Sequence, residues 1–126
     1  MKILITGSRE WTNTEIIKNA IEFHSKPSED TIIIHGGAKG ADAIADQLAI
    51  QFGWSRIIYP ANWTLHGKSA GPTRNKFMLV SSKPDVVLAF PTTSSRGTWD
   101  CVNTAKLLNL KVVLYEEQGD SLCLKP

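Results

Sequence analysis

Short uninterrupted runs of β-favouring residues alternate along this chain with stretches whose apolar positions recur every three to four residues. The runs KILIT (2–6), TIIIH (31–35), SRIIYP (55–60), DVVLAF (85–90) and KVVLY (111–115) predict five strands. Between the first two, Ile16, Ile17, Ala20, Ile21 and His24 share one helical stripe, with Thr12 or Asn13 as N-cap. After the second strand, Ala41, Ile44, Ala45, Leu48, Ala49 and Phe52 form another stripe, which Gly53 ends. RNKFMLVSSK (74–83) reads as a short helix stopped near Pro84, and TWDCVNTAKLLNL (98–110) as the next one. ANWTLHGKSAGPT (61–73) reads as a long polar and aromatic loop, and such loops are uncommon in small α/β domains unless they serve a ligand.

Runs of Val, Ile and Leu without alternation mark strands covered on both faces, as in parallel sheets flanked by helices. Five of them joined by helices predict an α/β chain of the Rossmann-like, doubly wound type, with a mainly parallel five-stranded sheet. Residues 1–116 form one domain in this reading, and 117–126 a C-terminal tail with no clear period. Ligands of such sheets bind at the carboxyl ends of the strands. TGSREW, HGGAKGAD, YPANW and FPTTSSRGTWD all follow strands, so they gather on one rim.

Composition narrows the partners. The 126 residues, 42% hydrophobic and 21% charged, suffice for one core without disulfides or metal. A net charge of +2 is too small, and the lysines too scattered, to argue for nucleic acid as a partner. Cys101 and Cys123 have no metal-like spacing and read as free thiols of a reducing compartment. The apolar start is too short for a signal-peptide core, and no apolar run approaches ~20 residues, so no membrane partner is expected. The expectation is a cytoplasmic domain with no cofactor and no metal.

Glycines between a strand and a helix have two uses. They adopt positive φ freely, and their bare N–H groups seat anions, usually phosphates. Three loops carry them: Gly7, Ser8 and Arg9; Gly36, Gly37, Lys39 and Gly40; and Ser95, Arg96, Gly97 and Thr98. The first two are neither P-loops nor dinucleotide fingerprints, because they lack Gly-Lys-Ser/Thr and the G-x-G-x-x-G spacing. Turn geometry alone also accounts for such glycines, and Ser95 or Thr98 suits an N-cap whatever else it does.

Trp63 and Lys68 add a flat aromatic and a cation from the 61–73 stretch, and Trp11 offers a second aromatic face for a base. Arg74 stands where the next helix begins, beside Asn75. A helix start favours acids, so a cation there calls for a negatively charged partner. As a phosphate clamp on the rim it should add little to stability; as a structural residue it should pair with Asp42 or Asp100. Asp100 fits the first turn of a helix, a ribose hydroxyl or an acid–base role. His35 and Cys101 read as structural, and the consecutive Phe77, Met78, Leu79 and Val80 are too many for one buried stripe, which predicts a homo-oligomer.

The stretches TGSREW, HGGAKGADAIADQLA, YPANWTLHGKSAGPTRNKFML, KPDVVLAFP and RGTWDCVNTA resemble the SLOG superfamily, within it the cpYpsA-related, YspA-type group. The superfamily also includes the LOG phosphoribohydrolases and the DNA-processing protein DprA. The resemblance implies a Rossmann-like domain that binds a nucleotide or nucleotide-derived ligand, in some branches a signalling nucleotide. LOG enzymes carry P-G-G-x-G-T-x-x-E with a catalytic glutamate. Here Thr92 to Arg96 separate Pro91 from Gly97-Thr98, and Cys101 stands at the glutamate position with Asp100 one residue before it. Arg74 is the counterpart of the arginine those enzymes supply from an earlier helix. The resemblance therefore leaves three expectations: ligand binding, N-glycosidic hydrolysis of a nucleoside monophosphate by Asp100 and Arg74, or sequestration of a signalling nucleotide.

Overall fold

The computed structural model describes residues 1–93, 95–116 and, as a short strand, 121–122. Strands β1 (Lys2–Gly7), β2 (Ile32–His35), β3 (Ser55–Ile58), β4 (Val86–Phe90) and β5 (Val112–Tyr115) form one sheet in the order β3-β2-β1-β4-β5, every neighbouring pair parallel. This is the expected doubly wound arrangement. The chain winds outward from β1 to β3, then crosses back to β4 beside β1, so the topological switch lies between β1 and β4.

The helices follow the predicted stripes. Helices α1 (Thr14–His24) and α2 (Ala41–Phe52) cover one face of the sheet, packing Ile17, Ile21, Ala45 and Leu48 against Ile3 and Ile5. On the other face α4 (Ala70–Ser82) and α5 (Arg96–Leu107) pack Met78, Leu79, Cys101 and Val102 against Leu4 and Val87. The alternation of Ile3, Leu4 and Ile5 between these two cores is the two-residue period of a strand buried on both sides. Asn13 is the N-cap of α1, its Oδ1 accepting the Ile16 N–H at 3.2 Å, and Gly53 ends α2 in the left-handed conformation at φ 72°.

Two expectations are corrected, and one element is added. The 61–73 stretch is mostly helical: α3 (Trp63–His66) and a 3-10 turn (Gly67–Ser69) lead directly into α4. Pro72 hid this, because it reads as a breaker, yet it lies in the first turn of α4, where no intrahelical N–H bond is lost. Strand β3 is exposed along its whole length, since it is the sheet edge. Finally, β6 (Ser121–Leu122) joins the sheet antiparallel to β5, where two residues are too few to carry a period. The rest of 117–126, with Cys123, lies outside the described residues, as does Ser94.

Candidate functional site

At the β1/β4 switch the loops enclose a cavity of about 590 Å³. Its walls come from the end of β1 (Thr6, Gly7) with Ser8, Arg9 and Glu10, from Ala38 in the loop before α2 and Asp42 in its first turn, from Trp63 and Lys68, and from both helices of the second face. Helix α4 supplies Arg74 and Asn75, and α5 with its cap supplies Ser95, Arg96, Gly97, Thr98 and Asp100. Twelve of the predicted residues thus meet in one place. They are Gly7, Ser8, Arg9, Trp63, Lys68, Arg74, Asn75, Ser95, Arg96, Gly97, Thr98 and Asp100.

Gly36, Gly37, Lys39 and Gly40 do not line this cavity, and their loop is built differently from an open anion seat. The Asp42 carboxylate accepts the Gly36 N–H at 3.1 Å and the Ala38 N–H at 3.3 Å through Oδ2, while the Gly37 N–H donates to His35 Nδ1 at 2.9 Å. Asp42 and His35 thus already engage the amides of Gly36, Gly37 and Ala38. Gly36 and Gly40 serve close packing instead. A side chain at position 36 would run into the Arg74 guanidinium, and one at position 40 into the backbone of Ser8 and Arg9. Gly40 also takes φ 74° as the N-cap of α2.

Arg74 is not at a helix start but on the second turn of α4, half-buried. Its Nη1 donates to the Gly36 carbonyl at 2.7 Å and the Tyr59 carbonyl at 3.2 Å, and its Nε to Asn75 Oδ1 at 2.8 Å. It forms no ion pair with Asp42 or Asp100 among the described residues. The ion pair expected of a structural Arg74 is therefore replaced: Arg74 ties α4 to the ends of β2 and β3 through carbonyls, and it still lines the cavity. Asn75 continues the chain of contacts, its Nδ2 donating to Asp100 Oδ2 at 3.0 Å and to the Gly97 carbonyl at 3.2 Å.

The β1 and β4 loops are pinned together. The Thr92 hydroxyl donates to Ser8 Oγ at 2.7 Å, and Ser95 Oγ accepts the Thr92 N–H at 2.7 Å. Ser95 is the N-cap residue of α5, but neither it nor Thr98 makes the side-chain cap that was expected. Trp11 is removed from the site: it is buried edge-on to Phe90 and its Nε1 donates to the Asn13 carbonyl at 2.9 Å. Trp63 is 52% exposed and remains the aromatic wall of the cavity. Cys101 is buried beneath the site, and that burial pushes its thiol up to about 12, which leaves it an inert core residue at neutral pH.

Charge is layered across the cavity. Arg9, Lys68 and Arg96 are exposed at its rim, and among the described residues none of the three enters an ion pair. Thr6, Ser8, Asp42, Asn75, Ser95 and Thr98 are buried and form its floor. Sequence reasoning offers Asp42 only as a partner for Arg74 and does not mark Thr6 or Ala38 as site residues; an acid in the first turn of α2 also suits the helix dipole, which gives it no distinctive signal. Burial pushes the Asp42 carboxyl above its ordinary value, against the opposing pull of His35, the Ala38 amide, Arg74 and the Gly36 amide. Another hollow, of about 640 Å³, lies at the opposite ends of the strands among Glu22, Lys26, Glu29 and Asp30. Among the described residues no group of His, Cys, Asp and Glu is arranged to hold a metal, and no helix is long and apolar enough to cross a membrane.

Comparison with known proteins agrees with this architecture. The profile of the YspA, cpYpsA-related SLOG family matches residues 1–66. The Gene 61 protein of Mycobacterium phage D29 is 36% identical over 124 residues, covering 93% of this chain and 98% of that protein. Among solved structures, the UDP-GlcNAc 2-epimerase of Neisseria meningitidis bound to UDP-GlcNAc superposes with a TM-score of 0.51 at 20% identity. That match covers 91% of this chain and 32% of the epimerase, so this chain spans about a third of that enzyme and shares its Rossmann-like fold. With a profile match over half its length and a relative aligned almost end to end, the chain belongs to the YspA, cpYpsA-related SLOG family.

Proposed function

We propose that the cavity at the β1/β4 switch binds a nucleotide or nucleotide-derived ligand. The observation that carries this reading is the layering of one cavity: rim cations that enter no ion pair among the described residues stand above a floor of hydroxyls, the Asn75 amide and the Asp42 carboxylate. The phosphate lies among Arg9, Lys68 and Arg96, with Ser8 and the first turn of α5 beside it. The base lies against Trp63. Family membership supports a nucleotide-related ligand. Titration calorimetry against nucleoside mono- and diphosphates, ADP-ribose and cyclic dinucleotides tests it. Binding with a micromolar or tighter Kd supports the reading, and silence across the panel with folded protein overturns it.

A second reading rests on Asp100, whose Oδ2 is oriented by the Asn75 amide inside the cavity. An enzyme of this design would add water to the anomeric carbon of a nucleoside monophosphate and break the bond to the base. Asp100 would take the water proton and pass it to the departing base, which leaves neutral and restores the carboxylate. General acid–base help is worth ~10²–10⁴ in rate. Release of free base that Asp100→Asn abolishes would establish hydrolysis. Recovery of tightly bound, unchanged nucleotide on denaturation would establish sequestration.

The same reading includes self-association. Met78 and Leu79 are 1% exposed, whereas Phe77 and Val80 on the outer side of α4 are 62% and 49% exposed, and Phe77 shares a surface hollow with the edge-strand residue Ile58, 42% exposed. A second copy of this chain is the proposed cover for that apolar surface.

A further inference from the structure

One atom in the cavity floor has no partner among the described residues. Asp42 is 5% exposed and lines the cavity, yet only its Oδ2 is engaged, by the Gly36 and Ala38 amides. Among the described residues Oδ1 is buried and accepts no hydrogen bond. A buried carboxylate oxygen left in that state is costly, and native structures rarely keep one without a use. The arrangement is specific: the amides fix the carboxyl plane, so Oδ1 is held in place rather than free to turn away.

The surroundings decide what it accepts. A phosphate is excluded, because Oδ1 and the nearby Asp100 are both acceptors and carry the same sign of charge. A base is disfavoured, because the aromatic wall, Trp63, is at the exposed rim and no aromatic residue lies among the buried floor residues. What suits a floor of Asp42, Thr6, Ser8 and Thr98, with the half-buried Asp100 beside it, is a group of hydroxyls that both donate and accept. In a nucleotide the sugar lies between base and phosphate, so a ligand with both ends at the rim lowers its sugar to this floor.

We propose that Asp42 Oδ1 accepts a ribose hydroxyl of the ligand, making the cavity selective for ribonucleotides over their deoxy counterparts. The inference rests on the nucleotide reading above and adds the specificity-determining residue. Asp42→Asn is the informative substitution, since its amide oxygen still accepts from the Gly36 and Ala38 N–H groups while the cavity loses a charged acceptor.

The test is calorimetry of wild type and Asp42→Asn with AMP, GMP, CMP and UMP and with their 2′-deoxy and 3′-deoxy counterparts. For wild type, the nucleotide lacking the contacted hydroxyl should bind about 10- to 150-fold more weakly than the ribonucleotide. In Asp42→Asn that ratio should collapse toward about one, which isolates the coupling between Asp42 and the hydroxyl. Ribonucleotides that bind while deoxy forms bind equally well, or a ratio unchanged in Asp42→Asn, overturn this inference and leave the nucleotide reading standing. If no ribonucleotide binds the folded wild type, this inference falls together with the assignment of these monophosphates to the cavity.

Discussion

Arg74 and Gly36 are built for each other: the guanidinium donates to the Gly36 carbonyl at 2.7 Å and fills the space that a side chain at position 36 would need. Through the same group α4 is also tied to the Tyr59 carbonyl at the end of β3. Hydrogen bonds from a charged donor contribute ~1.5–3 kcal/mol each in well-ordered sites. Because Arg74 is only half-buried, Arg74→Ala should cost about 2 kcal/mol in urea unfolding. Gly36→Ala should expel the guanidinium and lose much the same contacts. The double variant should therefore fall well short of the sum of the singles. Strict additivity would show that the two residues act independently.

Gly40 and Gly53 both have positive φ, at 74° and 72°, but in different surroundings. A side chain at Gly53 would meet nothing within 4 Å, so Gly53→Ala should cost only the left-handed penalty of about 1–2 kcal/mol. At Gly40 it would strike the backbone of Ser8 and Arg9, which cannot swing aside as a side chain can. Gly40→Ala should be the more damaging by at least ~1 kcal/mol. Equal melting temperatures for the two variants would contradict the close approach of the β1 loop to α2.

Asp46 gives the stability curve an acid limb. Its Oδ1 takes His35 Nε2 and Arg56 Nε, both at 2.8 Å. Burial opposes ionisation, but the hydrogen bonds and charges of His35 and Arg56 outweigh it and hold the carboxyl below its ordinary value. A carboxyl depressed in the folded state stabilises above its unfolded value of ~3.9 and loses that contribution as pH falls through the folded one. Asp42, raised by burial, has the opposite sign and disfavours the fold as pH rises past the same unfolded value. The difference between wild type and Asp46→Asn is therefore the readout. Wild type should lose its advantage in melting temperature on going from about pH 5 to pH 3. A constant difference over that range would remove Asp46 from the account.

Phe77→Glu should convert an associating protein to monomer while leaving the fold intact, because the residue is 62% exposed. Light scattering of wild type and variant at matched concentration checks this. A wild type that is already monomeric at high concentration would refute self-association through this face.

How far the sequence reached depended on periodicity. Runs such as VVLAF and stripes such as Ala41, Ala45, Leu48 and Ala49 state their burial in their spacing, and the sheet and its two helical layers follow. The rim was legible too, because chain direction alone brings Ser8, Arg96 and Asp100 to the same ends of the strands. Partners were not. Whether the Gly36 amide meets a ligand or Asp42 depends on a side chain six residues away, and nothing in the spacing favours either. Arg74 was misplaced for a local reason, since Pro72 masks a helix already begun at Ala70. Its real partners are backbone carbonyls, which leave no mark in the identity of the residues that carry them.

The proposed nucleotide site is the layered cavity at the β1/β4 switch. Amide chemical-shift mapping of the labelled protein, titrated with the tightest ligand of the calorimetric panel, tests it most directly. Shifts should concentrate at residues 6–10, 38–42, 71–75 and 95–100, which come together only in the folded chain at this cavity. Shifts centred instead on Glu22, Glu29, Asp30 and Trp54, around the hollow at the opposite end of the sheet, would contradict the account.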